Sequence, residues 1–135
     1  MDRKEFIQLV GANAGLMLIS ACFSRCSDNN AFPAPPTNVD FTVDTSTGAL
    51  AQNGGSITNN GIIVARTLTG TFMAVSAACT HQGTTLQFQA NNHRFYCFTH
   101  GSAFNELGAV THGPASQSLR QYQTSLTGTS LRVFS

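Results

Sequence analysis

Two short segments that combine Cys and His constrain this 135-residue chain more than any other feature of its sequence. The first is Cys79-Thr80-His81, and the second is Cys97-Phe98-Thr99-His100, with residues 82–96 between them. Each segment offers one thiolate and one imidazole, so two such segments at the tips of two β-hairpins could converge on one metal site from opposite sides. An iron–sulfur cluster with two cysteines on one iron and two histidines on the other needs this arrangement.

Two alternatives to an iron–sulfur cluster, a zinc site and a disulfide, use the same residue types. A structural zinc ion takes Cys and His ligands, but its usual spacings place the Cys pair together and the His pair together. A disulfide between Cys79 and Cys97 would be ordinary in an exported protein, but it would leave both histidines without a purpose. The spacing therefore favours the iron–sulfur cluster. His93 and His112 have no Cys at a matching distance and are interpreted as a solvated turn residue and a loop residue.

The sequence around these segments resembles the Rieske family. His100-Gly101-Ser102-Ala103-Phe104 is similar to the family's second cluster loop, and Gly113-Pro114-Ala115, with Leu119 and Tyr122 after it, is similar to the proline loop and returning strand that cover the cluster. The resemblance implies an all-β, Rieske-type fold of antiparallel sheets. Two hairpin loops would form a small cluster-binding subdomain at about residues 76–116.

The resemblance also implies how one [2Fe–2S] cluster is held, with Cys79 and Cys97 on the inner iron and His81 and His100 on the outer iron. Two neutral imidazoles in place of two thiolates make the oxidised site less negative, which raises the potential into a range of about −150 to +300 mV. Oxidation acidifies the outward N–H groups of the two histidines, so we expect coupled electron and proton transfer. Four protein ligands leave the irons no open position, so we expect an electron-transfer protein and not an enzyme.

Residues near the predicted ligands affect the expected reduction potential of the cluster. By resemblance, Ser102 donates its hydroxyl to a bridging sulfide, as in quinol-oxidising Rieske proteins. Phe104 stands where those proteins usually have a Tyr, and Thr84 and Thr99 stand where they carry a disulfide. We expect an intermediate potential, below the respiratory-complex proteins and above the ferredoxins of ring-hydroxylating dioxygenases.

Three further residues are candidate contacts of the cluster. Without a Cβ, Gly83 and Gly101 would let the backbone approach the cluster and point N–H groups at its sulfurs, although both could equally be turn glycines. Pro114 would fix φ in the covering loop and keep water off the buried side.

The N-terminal segment indicates export. Residues 1–21 combine a charged start with an apolar stretch too short for a comfortable membrane span, and so predict a signal segment. Ile19-Ser20-Ala21-Cys22 resembles the lipobox of bacterial lipoproteins, which makes Cys22 the predicted lipid attachment site. The Pro/Ser/Asn-rich residues 22–38 predict a tether, in which Cys26 is interpreted as a surface thiol. The Rieske domain is then expected at residues 39–135.

Short β-branched and aromatic runs between Gly and Asn turns predict strands and no sustained helix. The predicted strands are Phe41–Asp44, Ile62–Val64, Phe72–Val75, Phe95–Cys97, Ser118–Tyr122 and Ser130–Phe134. Seven basic and six acidic residues leave no basic stripe, which argues against a nucleic-acid partner.

Together these features predict a lipid-anchored electron carrier, or the small subunit of an oxidoreductase, on the periplasmic side of a bacterial membrane. Its partners would be redox proteins, with the membrane reached through the lipid. The alternative is the quinol-oxidising subunit of a cytochrome bc-type complex, so a quinol partner is possible but not favoured. A dioxygenase ferredoxin would be cytoplasmic, which the signal segment opposes.

Overall fold

Short runs of β-branched and aromatic residues, separated by Gly and Asn turns, give the chain an all-β architecture. The computed structural model describes residues 34–135, so the predicted signal segment, Cys22, Cys26 and most of the predicted tether lie outside the described residues. The described strands are β1 Asp40–Asp44, β2 Ser56–Asn59, β3 Ile62–Arg66, β4 Phe72–Ser76, β5 Gln87–Gln89, β6 Arg94–Tyr96, β7 Ala103–Asn105, β8 Val110–His112, β9 Gln121–Thr127 and β10 Ser130–Phe134. Two short 3₁₀ helices cover Gly48–Ala51 and Ala90–Asn92.

The strands form two antiparallel sheets. The larger sheet has six strands in the order β1-β10-β9-β4-β3-β2, and the smaller has four in the order β5-β6-β7-β8. The turn between β2 and β3 places both Asn60 and Gly61 at positive φ, as a tight two-residue hairpin requires. Of the described residues, no helix is long and apolar enough to cross a membrane.

Strand β3 explains how the two sheets share their apolar side chains. Ile62 and Val64 point to one face of the six-stranded sheet and pack into a first core, together with Tyr122. Ile63 and Ala65 point to the opposite face and pack into a second core with residues of the smaller sheet. Because both faces of β3 are buried, its sequence is a continuous apolar run and does not alternate.

The second core reaches the two Cys/His segments. It contains Phe95 of β6 and Phe104 of β7, and it also contains Cys79 and Cys97. Phe95 and Cys97 are both fully buried, and the predicted strand Phe95–Cys97 is observed one residue earlier, as Arg94–Tyr96. The cysteine of each Cys/His segment therefore belongs to the core that joins the smaller sheet to the larger one.

Several strand predictions were wrong in position. The predicted strand Ser118–Tyr122 begins only at Gln121 and continues to Thr127, because residues 118–120 cross between the sheets and Leu119 donates its N–H to the Gly108 carbonyl. His112 ends β8 and does not lie in a loop, although it is exposed as expected. Of the five strands with three or four residues, β2, β5, β7 and β8 were missed, because a strand of this length is too short to show an alternating pattern.

The end of the predicted tether packs on the domain. The hydroxyl of Tyr122 donates to the Pro36 carbonyl at 2.7 Å. Val39 and Ser135 also bond each other, through the Val39 N–H to Oγ and the Ser135 N–H to the Val39 carbonyl. Residues 34–38 form no helix or strand, and Pro36 contacts the domain through its carbonyl.

Candidate metal centre

Two loops of equal length carry the Cys/His segments, and they are named here the first cluster loop, residues 79–84, and the second cluster loop, residues 97–102. In the first loop the Cys79 N–H donates to the Thr84 carbonyl at 2.8 Å. The Gly83 N–H then donates back to the Cys79 carbonyl at 2.7 Å. These two bonds fold residues 79–84 into a tight turn that begins at the cysteine.

The second cluster loop repeats this hydrogen-bond pattern. The Cys97 N–H donates to the Ser102 carbonyl at 2.9 Å, and the Gly101 N–H donates to the Cys97 carbonyl at 2.8 Å. Gly101 has φ +81°, and Gly83 of the first loop has φ +78°. Each loop therefore needs a glycine four residues after its cysteine, because other residues rarely adopt this backbone conformation.

The pattern gives these glycines a role within each loop. Their own N–H groups donate to the carbonyls of Cys79 and Cys97, and the approach of the loop backbone to the cluster stays a prediction. A Cβ on Gly101 would meet only the Tyr96 hydroxyl, at 3.8 Å. The alternative that Gly83 and Gly101 are turn glycines therefore describes them, and what they position is the Cys and His of each loop.

The structure brings the four predicted ligands to one end of the smaller sheet. Cys79 and Cys97 are almost completely buried, with 1% and 0% of their surface exposed, and neither forms a disulfide. The rings of His81 and His100 are half-buried and lie edge to face, with centroids 4.8 Å apart and planes at 79°. The thiols thus lie on the buried, inner side of the four predicted ligands, and the imidazoles lie on the outer side.

The imidazoles contain the atoms that most need a ligand. The Nδ1 atoms of His81 and His100 are buried and have no hydrogen-bond partner within the described part of the chain. A buried polar atom without a partner costs about 1–3 kcal/mol, and proteins seldom leave one. A metal bound at each Nδ1 would satisfy both atoms, so the residues fit the inner-thiolate and outer-imidazole donor set of a Rieske cluster.

The donors are not arranged as a site for one metal ion, such as a structural zinc site. Among residues 34–135, no group of three or more His, Cys, Asp and Glu side chains is arranged to hold one metal ion. A [2Fe–2S] cluster needs only two protein ligands at each iron, and the observed donors are two thiols and two imidazoles.

The proline loop is fastened to both cluster loops. The Ala115 N–H donates to Ser102 Oγ at 3.0 Å, and Ser102 is fully buried. The Thr80 hydroxyl donates to the Gln117 carbonyl at 2.6 Å, which ties the same segment to the first loop. Pro114, between these contacts, follows a cis peptide bond and is exposed. The segment is therefore bonded to both cluster loops, and Pro114 itself faces solvent.

Sequence reasoning missed an aromatic row beside the ligands. The Tyr96 and Phe98 rings lie edge to face with centroids 4.9 Å apart, and the Arg94 guanidinium lies 4.3 Å from the centre of the Tyr96 ring. The signal was present, because Arg94, Tyr96 and Phe98 alternate with the buried Phe95 and Cys97. His93, interpreted as a turn residue, does end a 3₁₀ turn.

Comparison with known proteins decides the family. The sequence model described as the Rieske [2Fe-2S] domain matches residues 39–123, more than half of the chain. The chain belongs to the Rieske family. The Rieske domain binds one [2Fe–2S] cluster, so the expected cofactor and the expected all-β fold are confirmed. Rieske proteins and related subunits act as electron carriers, which confirms the expectation that this protein transfers electrons and is not an enzyme.

The similar sequences are longer proteins. The Rieske protein is 38% identical over 58 residues to the chloroplastic cytochrome b6-f complex iron-sulfur subunit of Pisum sativum, which covers 43% of this chain and 25% of that relative. It is 38% identical over 61 residues to the cytochrome b6-f complex iron-sulfur subunit of Microcystis aeruginosa, covering 45% of this chain and 34% of the relative. The match therefore spans about a quarter of the first relative and about a third of the second.

Solved structures give the same fold. The plasma membrane Rieske protein PetC3 of the cyanobacterium Synechocystis PCC 6803 superposes with a TM-score of 0.52 at 28% identity, covering 60% of this chain and 85% of that one. The ferredoxin of carbazole 1,9a-dioxygenase from Nocardioides aromaticivorans IC177 superposes with a TM-score of 0.55 at 23% identity, covering 69% and 96%. A hyperthermophilic respiratory Complex III chain gives 0.53 at 21% identity, covering 96% and 99%. The last two likenesses show the fold alone.

Proposed function

We propose that this Rieske protein is exported and lipid-anchored through Cys22, and that it transfers electrons as a carrier or as the small subunit of an oxidoreductase. In this proposal Cys79, His81, Cys97 and His100 hold the cluster, on the periplasmic side of a bacterial membrane. The two buried Nδ1 atoms without a partner among the described residues, together with two buried free thiols, are the observation that carries the ligand assignment.

The arrangement of the ligands supports electron transfer at the imidazole side of the cluster. When bound, the cluster accepts and releases one electron at a time. Cys79 and Cys97 belong to the apolar core, whereas the half-buried rings of His81 and His100 reach the surface. A partner protein therefore approaches most closely at the imidazole side, and it exchanges electrons there. The segment around Ala115 is held over the inner side by Ser102 and excludes water from it.

Export and anchoring rest on the sequence of residues 1–22. The lipobox-like Ile19-Ser20-Ala21-Cys22 and the charged start of the chain support it, and similarity to a plasma membrane Rieske protein is consistent with it. One acyl chain binds a membrane only marginally, so the proposal includes more than one chain on Cys22.

Fatty-acid labelling of the full chain tests the anchor. Cells that express the protein are fed an alkyne-tagged fatty acid, and the variants Cys22→Ser and Cys26→Ser are compared. We expect label and membrane association in the wild type and in Cys26→Ser, and loss of both in Cys22→Ser. Label that persists in Cys22→Ser, or a wild-type protein found unlabelled in the cytoplasm, would refute the anchor.

A second candidate function is the quinol-oxidising subunit of a cytochrome bc-type complex. It is favoured by the cytochrome b6-f relatives and by the buried Ser102 hydroxyl, which the resemblance places near the cluster. Isolation of the native protein from membranes separates the two. Co-purification with a haem-containing cytochrome b would support this candidate, and isolation without haem would support the carrier.

A further inference from the structure

The surface around the predicted ligands has almost no charge. Between residues 77 and 119, all of them within the described part of the chain, only two residues are Asp, Glu, Lys or Arg, namely Arg94 and Glu106. The remaining exposed side chains near the two cluster loops are uncharged, and they include Gln82, Thr99, Pro114, Ser116 and Gln117. We name these five residues and Phe98 the docking face.

The backbone of both residues lies toward the far end of the smaller sheet, and the Arg94 guanidinium extends over the Tyr96 ring, 4.3 Å from its centre. Arg94 begins β6 opposite Asn105, and β6 runs from there toward Cys97, while Glu106 follows Asn105 in the turn after β7. Each is also engaged locally. The Glu106 carboxylate lies 2.6 Å from His93 Nδ1, and Arg94 Nε donates to a Gln89 side chain at 2.7 Å. Neither charge therefore belongs to the docking face.

The other charged side chains of the described residues are also engaged, Asp44 with the Ser46 hydroxyl and Arg66 with the Leu50 and Ala51 carbonyls. Asp40 and Arg132 form a two-point ion pair on β1 and β10. Arg120 lies over the Tyr122 ring, with 5.5 Å between the guanidinium carbon and the ring centre. A protein that approaches the imidazoles thus finds no fixed positive or negative side chain in the docking face.

Phe98 gives the docking face an apolar anchor. It lies between Cys97 and His100, and 59% of its surface is exposed. Its ring is held edge-on against Tyr96, so it is presented to solvent with part of its freedom already lost. Rigid aromatic side chains of this kind supply a large part of the binding free energy in many protein interfaces.

We propose that the docking face binds a redox partner protein through an apolar, uncharged patch around the partner's own redox group, with Phe98 inserted as the anchor. The inference rests on the proposed electron-transfer function and names the surface chemistry of the partner. A charged partner surface would lose its water at this contact and gain no counter-charge, which disfavours it strongly. Docking should consequently depend little on ionic strength.

Electron self-exchange offers a probe with the required surface, because a second copy of the chain presents the same docking face. In self-exchange the reduced copy loses one electron and the oxidised copy gains it, and the two copies exchange roles, so no bond forms and no net proton is released. The full-length, cluster-loaded protein is mixed as reduced natural-iron and oxidised ⁵⁷Fe-labelled samples. The rate is read from the ⁵⁷Fe broadening of the EPR signal in freeze-quenched samples.

Four variants complete the experiment. Phe98→Ser removes the anchor, and Phe98→Glu and Thr99→Glu each place a negative charge on the docking face. Leu126→Glu is the matched control, because Leu126 is an exposed apolar residue roughly 16 Å along β9 from its cluster-side end. The EPR spectrum and potential of each variant show whether its cluster is intact.

The expected results are specific to the proposal. Wild-type and Leu126→Glu rates should change less than about twofold between about 20 and about 500 mM salt. Thr99→Glu should be slowed about tenfold at low salt and recover at high salt, and Phe98→Ser should be slow at every salt concentration. Phe98→Glu should be the slowest at low salt and recover only to the Phe98→Ser rate at high salt, because salt screens the added charge but does not replace the ring. Wild-type exchange that accelerates several-fold with salt, or Phe98→Ser exchange as fast as the wild type, would overturn the docking face. Absence of a redox-active cluster would instead overturn the proposed function.

Discussion

Replacement of Ser102 by Ala separates a residue that tunes the cluster from one that only supports the fold. Ser102 is fully buried, and its Oγ accepts the Ala115 N–H at 3.0 Å. Within the described residues no protein acceptor takes the proton of this hydroxyl. That proton is therefore free to be donated to a cluster sulfur, and Ser102→Ala should lower the reduction potential because donation favours the more negative, reduced form.

The size of the shift follows from the strength of one hydrogen bond. A hydrogen bond to a charged acceptor contributes about 1.5–3 kcal/mol, and we take about half of this as the difference between the two redox states. For one electron, about 1.36 kcal/mol corresponds to about 59 mV. The potential of Ser102→Ala should thus fall by about 30–65 mV. The Ala115 N–H also loses its acceptor, which should reduce the free energy of unfolding by about 1–3 kcal/mol.

Ser76→Ala is the matched control. Ser76 is also buried, and its Oγ accepts a backbone N–H from a distant segment, that of Arg120 at 3.2 Å. It lies at the end of β4, outside both cluster loops, so its replacement should reduce stability without moving the potential. Redox titration followed by EPR measures both variants, and urea unfolding measures their stability. A Ser102→Ala potential within about 10 mV of the wild type would refute the assigned role.

Three further changes test the structure around the site. Gly101→Ala should lower the free energy of unfolding of the loaded protein by about 1–2 kcal/mol, measured in urea, because φ +81° strains any residue with a Cβ; no loss would contradict the turn geometry. Tyr122→Phe removes the hydrogen bond to the Pro36 carbonyl, so it should cost about 0.5–1.5 kcal/mol and speed proteolysis before Pro36; unchanged cleavage would show that this contact is not formed in solution. The hydrogen bond from Arg132 lowers the pKa of Asp40 below its ordinary 3.8, so this pair stabilises the fold above that pH and the contribution is lost as the pH falls through the lowered pKa. Asp40→Asn should therefore flatten this part of an acid-unfolding curve, and an unchanged curve would refute it.

The ligand set could be read from the sequence because each loop encodes its own geometry. In both loops a cysteine is followed four residues later by a glycine, and the structure shows that this spacing closes the same pair of hydrogen bonds. The position of the histidine differs by one residue between His81 and His100, which a search for strict repeats would miss. Local sequence therefore indicated the turn of each loop better than it indicated the surrounding strands.

The rest of the fold depends on contacts between distant residues. Strands β5, β7 and β8 have three residues each and exist because they pair with neighbours across the sheet, which their own composition does not indicate. The role of the glycine N–H groups was also not evident, since it depends on which carbonyl lies within reach. Phe98 was overlooked because an exposed aromatic residue differs from a core residue only by the face it occupies.

Pulsed EPR of the reduced protein labelled with ¹⁵N-histidine tests the central claim most directly, with iron and sulfide determined on the same sample. The account predicts two irons and two sulfides per chain and two coupled histidine nitrogens, which the variants His93→Ala and His112→Ala both retain. Removal of the His81 or His100 imidazole should eliminate one coupling. Purification with zinc in place of iron, or couplings that disappear in His93→Ala or His112→Ala, would contradict the assignment of His81 and His100 as the imidazole ligands.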